Sequence, residues 1–314
     1  MAQNLPLIDV SKLNEPEVYT AFIRAFEDIG AARFTGYDPA LEQAIGAVYG
    51  VADDLFSLPP DEKAKLVRPE AHNDVGYTPP KGEKSSYSNK PDPKEYWHTR
   101  RDWRSAGPSP ADWHETPSVS AAFDHATRGA FREFEKLALD LSEIFSRYMD
   151  KPRDHLRKQM DRAPYSALRL LNYRSEDYAE KHRDRSFITL LAPRQPGLRI
   201  ETRAGEWIPA QAGENEIIGN TGRLAGILTR DRILPCNHDV VTAEPRRSVV
   251  FFGSMNADAV ISPDPKFGNA PLPDEYPQKP MTVRDYVESR VKANDYNGAN
   301  PDAVVEKFRP APGR

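Results

Sequence analysis

Apolar residues repeat at two different periods along the chain, and the change falls near Pro164. Before it, Val18, Ala21, Phe22, Ala25, Phe26 and Ile29 recur at helical spacing, with Gly30 as a stop. Leu41, Ile45, Val48, Tyr49, Ala52, Leu55 and Phe56 form a second stripe that ends before Pro59-Pro60. A third and longer helix is predicted over 118–149, where Phe123, Ala130, Phe131, Phe134, Leu137, Leu141, Ile144, Phe145 and Tyr148 share one face. Residues 5–10 and 31–34 read as short strands. After Pro164 the runs shorten and turn β-rich: 166–173, 187–191, 198–202, 207–208, 216–218, 240–242 and 248–252. Glycines and polar turns separate them, which is the texture of a β-sandwich or barrel. From about 256 the chain returns to loops, then to a helix carrying Val283, Tyr286, Val287, Arg290 and Val291.

The expected fold is α+β with a mainly β core: a helical N-terminal half wrapped around a C-terminal barrel. One globular unit, 1–314, divides into a helix and loop region (1–117), a backing helix (118–164), a β core (165–255) and a C-terminal extension (256–314). The polar, proline-punctuated stretch 67–117 holds His72, His98, His114, Trp97, Trp103, Trp113 and Gly76-Tyr77. It reads as irregular surface loop, or as a loop or strand pair covering a pocket. His125 and His155 read as ordinary surface or partly buried histidines.

Composition narrows the function. Charged residues make up 29% and the net charge is −4, with both signs interspersed, so no footprint for nucleic acid appears. Cys236 is the sole cysteine, which excludes an internal disulfide and points to a reducing, cytoplasmic compartment. No apolar run approaches the ~20 residues of a membrane span, and the N-terminal residues lack the basic and apolar regions of a signal peptide.

The candidate chemistry lies between His182 and Ser248. His182 and Asp184 are one residue apart, so in an extended segment both side chains point to the same face. His238, after several strands, is expected on a facing strand. Two imidazoles and a carboxylate make the facial ligand set of a non-haem iron site. The bland alternative is a polar turn and an unrelated histidine. Arg246 and Ser248 tilt the balance, since on one strand they offer a guanidinium fork and a hydroxyl to a carboxylate. Their own bland reading is a solvated basic turn, but the following Val249-Val250-Phe251-Phe252 predicts burial.

Leu171-Asn172-Tyr173, His182-x-Asp184, Phe187-Ile188-Thr189-Leu190-Leu191, Gly197-Leu198-Arg199-Ile200, Gly205-x-Trp207-Ile208, His238 and Arg246-x-Ser248 occur in an order that resembles a known family. So do Leu58-Pro59-Pro60-Asp61-Glu62-Lys63 and Pro91-Asp92-Pro93-Lys94-Glu95. The chain is similar to the isopenicillin N synthase-like superfamily of Fe(II)/2-oxoglutarate-dependent dioxygenases. That resemblance implies a double-stranded β-helix, the cupin-like jelly roll. It implies that His182, Asp184 and His238 hold iron, and that Arg246 and Ser248 bind the distal carboxylate of 2-oxoglutarate with Asn172 nearby. It further implies that 2-oxoglutarate and O₂ are consumed while a small-molecule substrate is hydroxylated, desaturated or cyclised.

The chain departs from the family pattern at Asp239, Arg174, Arg183, Arg185 and Thr35-Gly36-Tyr37. None removes a ligand, and Arg183 and Arg185 read as solvated. Arg169, Arg174 and Arg185, residues 67–105 and the C-terminal segment are the candidate substrate contacts. An amino acid or natural-product intermediate is the expected substrate. Rival readings are an oxidase or oxidative cyclase of the same superfamily that needs no 2-oxoglutarate, and a non-catalytic barrel. The oligomeric state is open.

Overall fold

The computed structural model describes residues 4–68, 75–82, 91–101, 113 and 116–290. Strands β1 (Leu7–Asp9) and β2 (Ala31–Thr35) pair in parallel around helix α1 (Pro16–Asp28). Gly30 ends α1 at φ +77°, and a Cβ there would lie 2.3 Å from the Leu234 carbonyl oxygen. Helices α2 (Pro39–Gly50), α3 (Ala52–Phe56) and α4 (Pro60–Ala64) follow. The single stripe expected over 41–56 is thus two helices, broken at Val51, where ψ is 4°. Asp38 caps α2 by accepting from the Ala40 amide, with Pro39 at the first helical position.

Strands β3 (Gly76–Thr78) and β4 (Glu95–Thr99) come next, both fully buried. The surface-loop reading of 67–117 therefore fails for these residues: they extend the main sheet. His72, Trp103 and His114 lie outside the described residues, as does Val291. Helix α5 (Ala121–Tyr148) starts where Ser120 Oγ accepts from the Phe123 amide at 3.0 Å, and it buries the predicted stripe.

The remaining elements are β5 (Ala167–Tyr173), β6 (Tyr178–His182), β7 (Ile188–Pro193), β8 (Leu198–Glu201), β9 (Trp207–Pro209), β10 (Ile217–Thr221), α6 (Arg223–Thr229), β11 (Asn237–Val241), β12 (Arg246–Gly253), β13 (Val260–Ile261), β14 (Met281–Thr282) and α7 (Val283–Arg290). Eight strands form one sheet in the order β1-β2-β10-β7-β12-β5-β4-β3, and β6-β11-β8-β9 form a second. This is the expected double-stranded β-helix.

The large sheet buries both faces. Leu168, Leu170, Leu190, Val249 and Phe251 point to the helices, where Phe251 meets Phe131 edge-on at 5.1 Å and stacks on Phe134 at 6.2 Å. Leu171, Tyr173, Leu191 and Val250 point the other way and pack on Ala179, Leu198, Ile200, Ile208 and Val240 of the small sheet. Strand alternation thus separates an outer, helix-covered core from an inner, inter-sheet one. No helix among the described residues is long and apolar enough to cross a membrane.

Candidate metal and co-substrate centre

Strands β6 and β11 run antiparallel, and their register sets His238 directly opposite His182. His238 therefore comes from the neighbouring strand of the same sheet, not from a facing one. The ring centroids are 4.2 Å apart. Each Nδ1 faces a backbone carbonyl, Glu180 O at 2.7 Å for His182 and Cys236 O at 3.2 Å for His238. A carbonyl only accepts, so Nδ1 carries the proton and Nε2 is left as the donor atom for a metal.

Asp184 lies two residues beyond β6, and its Oδ1 is 3.9 Å from His182 Nε2 and 3.7 Å from His238 Nε2. Thr189 Oγ1 donates to Asp184 Oδ2 at 2.6 Å and Asn220 Nδ2 donates to it at 3.2 Å. Sequence reasoning missed both of these supporting residues. Thr189 stands within the quoted Phe187–Leu191 run, but Asn220 carries no sequence signal. The three ligating atoms lie within 4.8 Å of one another.

Burial, reinforced by the neighbouring His238, pulls the His182 pKa down to about 4. Burial works the other way on Asp184, but His238, His182 and the hydrogen bonds from Thr189 and Asn220 outweigh it, and its carboxyl titrates below the usual range. At neutral pH His182 is a neutral imidazole and Asp184 a carboxylate, and the Cys236 carbonyl orients the His238 ring with Nε2 toward Asp184. That donor set suits a divalent ion held by three protein groups with coordination positions left open.

Arg246 and Ser248 share the inner face of β12, both buried, and Arg246 Nη1 donates to Ser248 Oγ at 3.1 Å. Arg246 is 2% exposed, yet its Nε has no hydrogen-bond partner and no carboxylate among the described residues pairs with it. Burial pulls its pKa below the ordinary arginine value. A buried cation with an unused donor is a seat for an anion.

Asn172 is not part of that seat. It pairs with Arg247, not Arg246, across β5 and β12, and residues paired in this way share a face. Its amide instead donates to Glu95 Oε1 at 2.8 Å and accepts from Arg247 Nε at 3.1 Å, on the helix side. The neighbour Tyr173, which pairs with Arg246, takes the inner position, with its ring centroid 5.5 Å from the guanidinium carbon. The period-two alternation of β5 is the signal for this, but only once the register with β12 is known.

The three candidate substrate arginines separate. Arg169 lies on the inner face, 4.0 Å over the Tyr96 ring, and its Nε donates to His98 Nε2 at 2.6 Å. Arg174 is exposed in the turn after β5, where its amide donates to Asp177 Oδ2 at 2.6 Å, so it does not line the barrel. Arg185 is half-buried, next to Asp184. Arg183, expected to be solvated, donates to Asn237 and Glu275. Asp239 points outward to Arg199.

The chain is similar to known proteins along most of its length. Residues 5–122 match the profile described as non-haem dioxygenase in morphine synthesis N-terminal, and 165–254 match the 2OG-Fe(II) oxygenase superfamily. The chain is 23% identical to a 2-oxoglutarate-dependent dioxygenase, frbJ, of Dothideomycetidae sp., across 98% of this chain and 85% of the relative. It is 24% identical to flavonol synthase/flavanone 3-hydroxylase of Arabidopsis thaliana, across 90% of this chain and 84% of that one. Among solved structures, a 2OG-Fe(II) oxygenase family protein from Caulobacter crescentus superposes with a TM-score of 0.74 at 24% identity, covering 93% of this chain and 99% of its own. A full-length Neurospora crassa protein, solved in complex with alpha-KG, gives 0.73 at 22% identity, covering 92% and 96%.

Proposed function

Because the chain belongs to the superfamily of 2-oxoglutarate- and Fe(II)-dependent oxygenases, we propose that it couples decarboxylation of 2-oxoglutarate to the hydroxylation of a small-molecule substrate, with desaturation or cyclisation as variants of the same oxidation. Fe(II), 2-oxoglutarate and O₂ are the cofactor and co-substrates of this superfamily. The bound metal supplies the one-electron chemistry of O₂ that no side chain can perform. Around it the protein's residues bind and orient. His182, Asp184 and His238 would hold the ion, with Nε2 of each ring presented by its Nδ1–carbonyl bond. Thr189 and Asn220 fix the carboxylate rotamer. Arg246 and Ser248 would receive the far carboxylate of 2-oxoglutarate, against Tyr173.

The observation that carries this reading is the buried Arg246 with its unpartnered Nε, inside the same barrel as the triad. A buried guanidinium with an unused donor calls for an anionic partner, and the far carboxylate of 2-oxoglutarate supplies one.

The substrate is read as a small molecule, an amino acid or natural-product intermediate. Relatives support that size class: one is named for flavonols, and the Neurospora crassa protein has been solved with thymine. Arg169, stacked on Tyr96 and hydrogen-bonded to His98 on the inner face, would meet a polar or acidic group of it, with Arg185 beside the metal loop. The chain is read as one globular unit whose core, 165–255, carries the chemistry. A reducing, cytoplasmic setting fits its one cysteine, which is buried.

The test is succinate formation from 2-oxoglutarate under Fe(II) and O₂, with metal and 2-oxoglutarate binding followed anaerobically by calorimetry. Wild type should bind both, and His182→Ala should lose metal binding. Absence of 2-oxoglutarate binding by the metal-loaded protein would overturn the reading.

A further inference from the structure

We propose that Glu275, in the proline-rich segment that follows the barrel, is a positioning residue for the metal triad. It would act by closing a ring of polar contacts that reaches the backbone flanking each ligand. The inference rests on the triad reading above.

Four contacts make up the ring and its branch to Asn237. Arg183, between His182 and Asp184, donates from Nε to Asn237 Oδ1 at 2.9 Å, and Asn237 is the residue before His238. The same guanidinium donates from Nη1 to Glu275 Oε1 at 2.7 Å. The other carboxylate oxygen of Glu275 lies 3.8 Å from Arg223 Nη2, and the Arg223 amide donates to the Asp184 carbonyl at 2.9 Å. Each ligand is thus one covalent or hydrogen-bonded step from the ring.

A ring is useful here because the backbone ladder gives out. The β6–β11 register shifts between His238 and Val240, and β6 itself stops at His182. Beyond that point no strand pairing joins the two ligand segments directly: the Arg223 amide holds the Asp184 carbonyl, the Cys236 amide bonds to the Thr221 carbonyl, and Arg183 makes the direct side-chain link between them. Arg183 suits the task because a planar fork addresses two acceptors in fixed directions at once. Tyr276 holds the segment, being buried and donating from its hydroxyl to Asp231 Oδ1 at 2.8 Å. Glu275 lies outside both family profile matches, whereas Arg183, Arg223 and Asn237 lie within the second.

The test measures Co(II) and Mn(II) binding by calorimetry, and the ligand-field spectrum of the Co(II) protein, on the full chain. Glu275→Ala should weaken metal binding roughly 10-fold or more, the scale of outer-shell losses, and alter the Co(II) spectrum. The unfolding midpoint of its metal-free form should stay near wild type. Glu275→Gln, which keeps an acceptor for Arg183, should lose less. Arg183→Lys perturbs the fold least and keeps the charge, but its single nitrogen cannot serve Asn237 and Glu275 with the same geometry, so it too should bind metal more weakly. Wild-type affinity and spectrum in both Glu275→Ala and Arg183→Lys would overturn the proposal, as would losses matched by an equal fall in metal-free stability. If wild type itself bound neither ion, the triad reading would fail first.

Discussion

A guanidinium loses solvation on burial and regains it only through partners, yet at Arg246 Ser248 is the one hydrogen-bonded neighbour among the described residues and Nε has none. Truncating a desolvated charge partner typically costs about 2–5 kcal/mol in binding. Arg246→Ala should therefore raise the KM for 2-oxoglutarate by roughly 30-fold or more, while metal affinity in the absence of 2-oxoglutarate stays close to wild type. Asn172 makes the opposite case. It faces Glu95 and Arg247 on the helix side, so Asn172→Ala should leave that KM within about a factor of two and lower stability by about 1 kcal/mol through lost hydrogen bonds. Steady-state kinetics alongside urea unfolding of both variants separate the two roles.

At the scale of elements, helical stripes were legible because amphipathic periodicity reports which face is buried. The seven short β runs were legible through composition and turns. What failed was local in each case. The break at Val51 leaves the apolar stripe intact on both sides, so no periodicity marks it. Strand β6 buries only Ala179 and offers no alternation to read. Helix α6 is seven residues long and buried all round, which erases a stripe. Yet β6 delivers His182, and α6 braces the Asp184 loop through the Gly222 and Arg223 amides. The contact is close: a Cβ on Gly222 would lie 2.2 Å from the Ser186 carbonyl oxygen and 2.8 Å from that of Asp184. Gly222→Ala should push the loop outward, lowering stability by about 1–3 kcal/mol and weakening metal uptake in the same protein. Calorimetric metal titration beside thermal unfolding would show both, and wild-type values would mean the loop yields without consequence.

For the whole molecule, the candidate site links protonation to stability. The His182 pKa is about 4 in the folded protein against an ordinary value of 6.5. Between these values the unfolded chain takes up a proton that the folded chain refuses, so this contribution is complete above about pH 6.5 and is lost as pH falls toward 4. The metal-free protein should lose thermal stability over that window, and His182→Asn should flatten the slope. Asp184, also held below its usual value, adds a loss of the same sign at lower pH.

The candidate ligand set His182, Asp184 and His238, the Arg246–Ser248 pair and the change from helical to β-rich texture were all present in the linear sequence. They depend on residue type and short-range period, which the chain carries locally. Which residues meet was decided elsewhere. The register of β12 against β5 turned Asn172 outward and Tyr173 inward, because a one-residue offset in a strand reverses the face. The register of β6 against β11 set His238 opposite His182. Registers, and the contacts of Thr189, Asn220 and Glu275 with the triad or its flanks, follow from packing between segments far apart in the chain, and no local pattern records them.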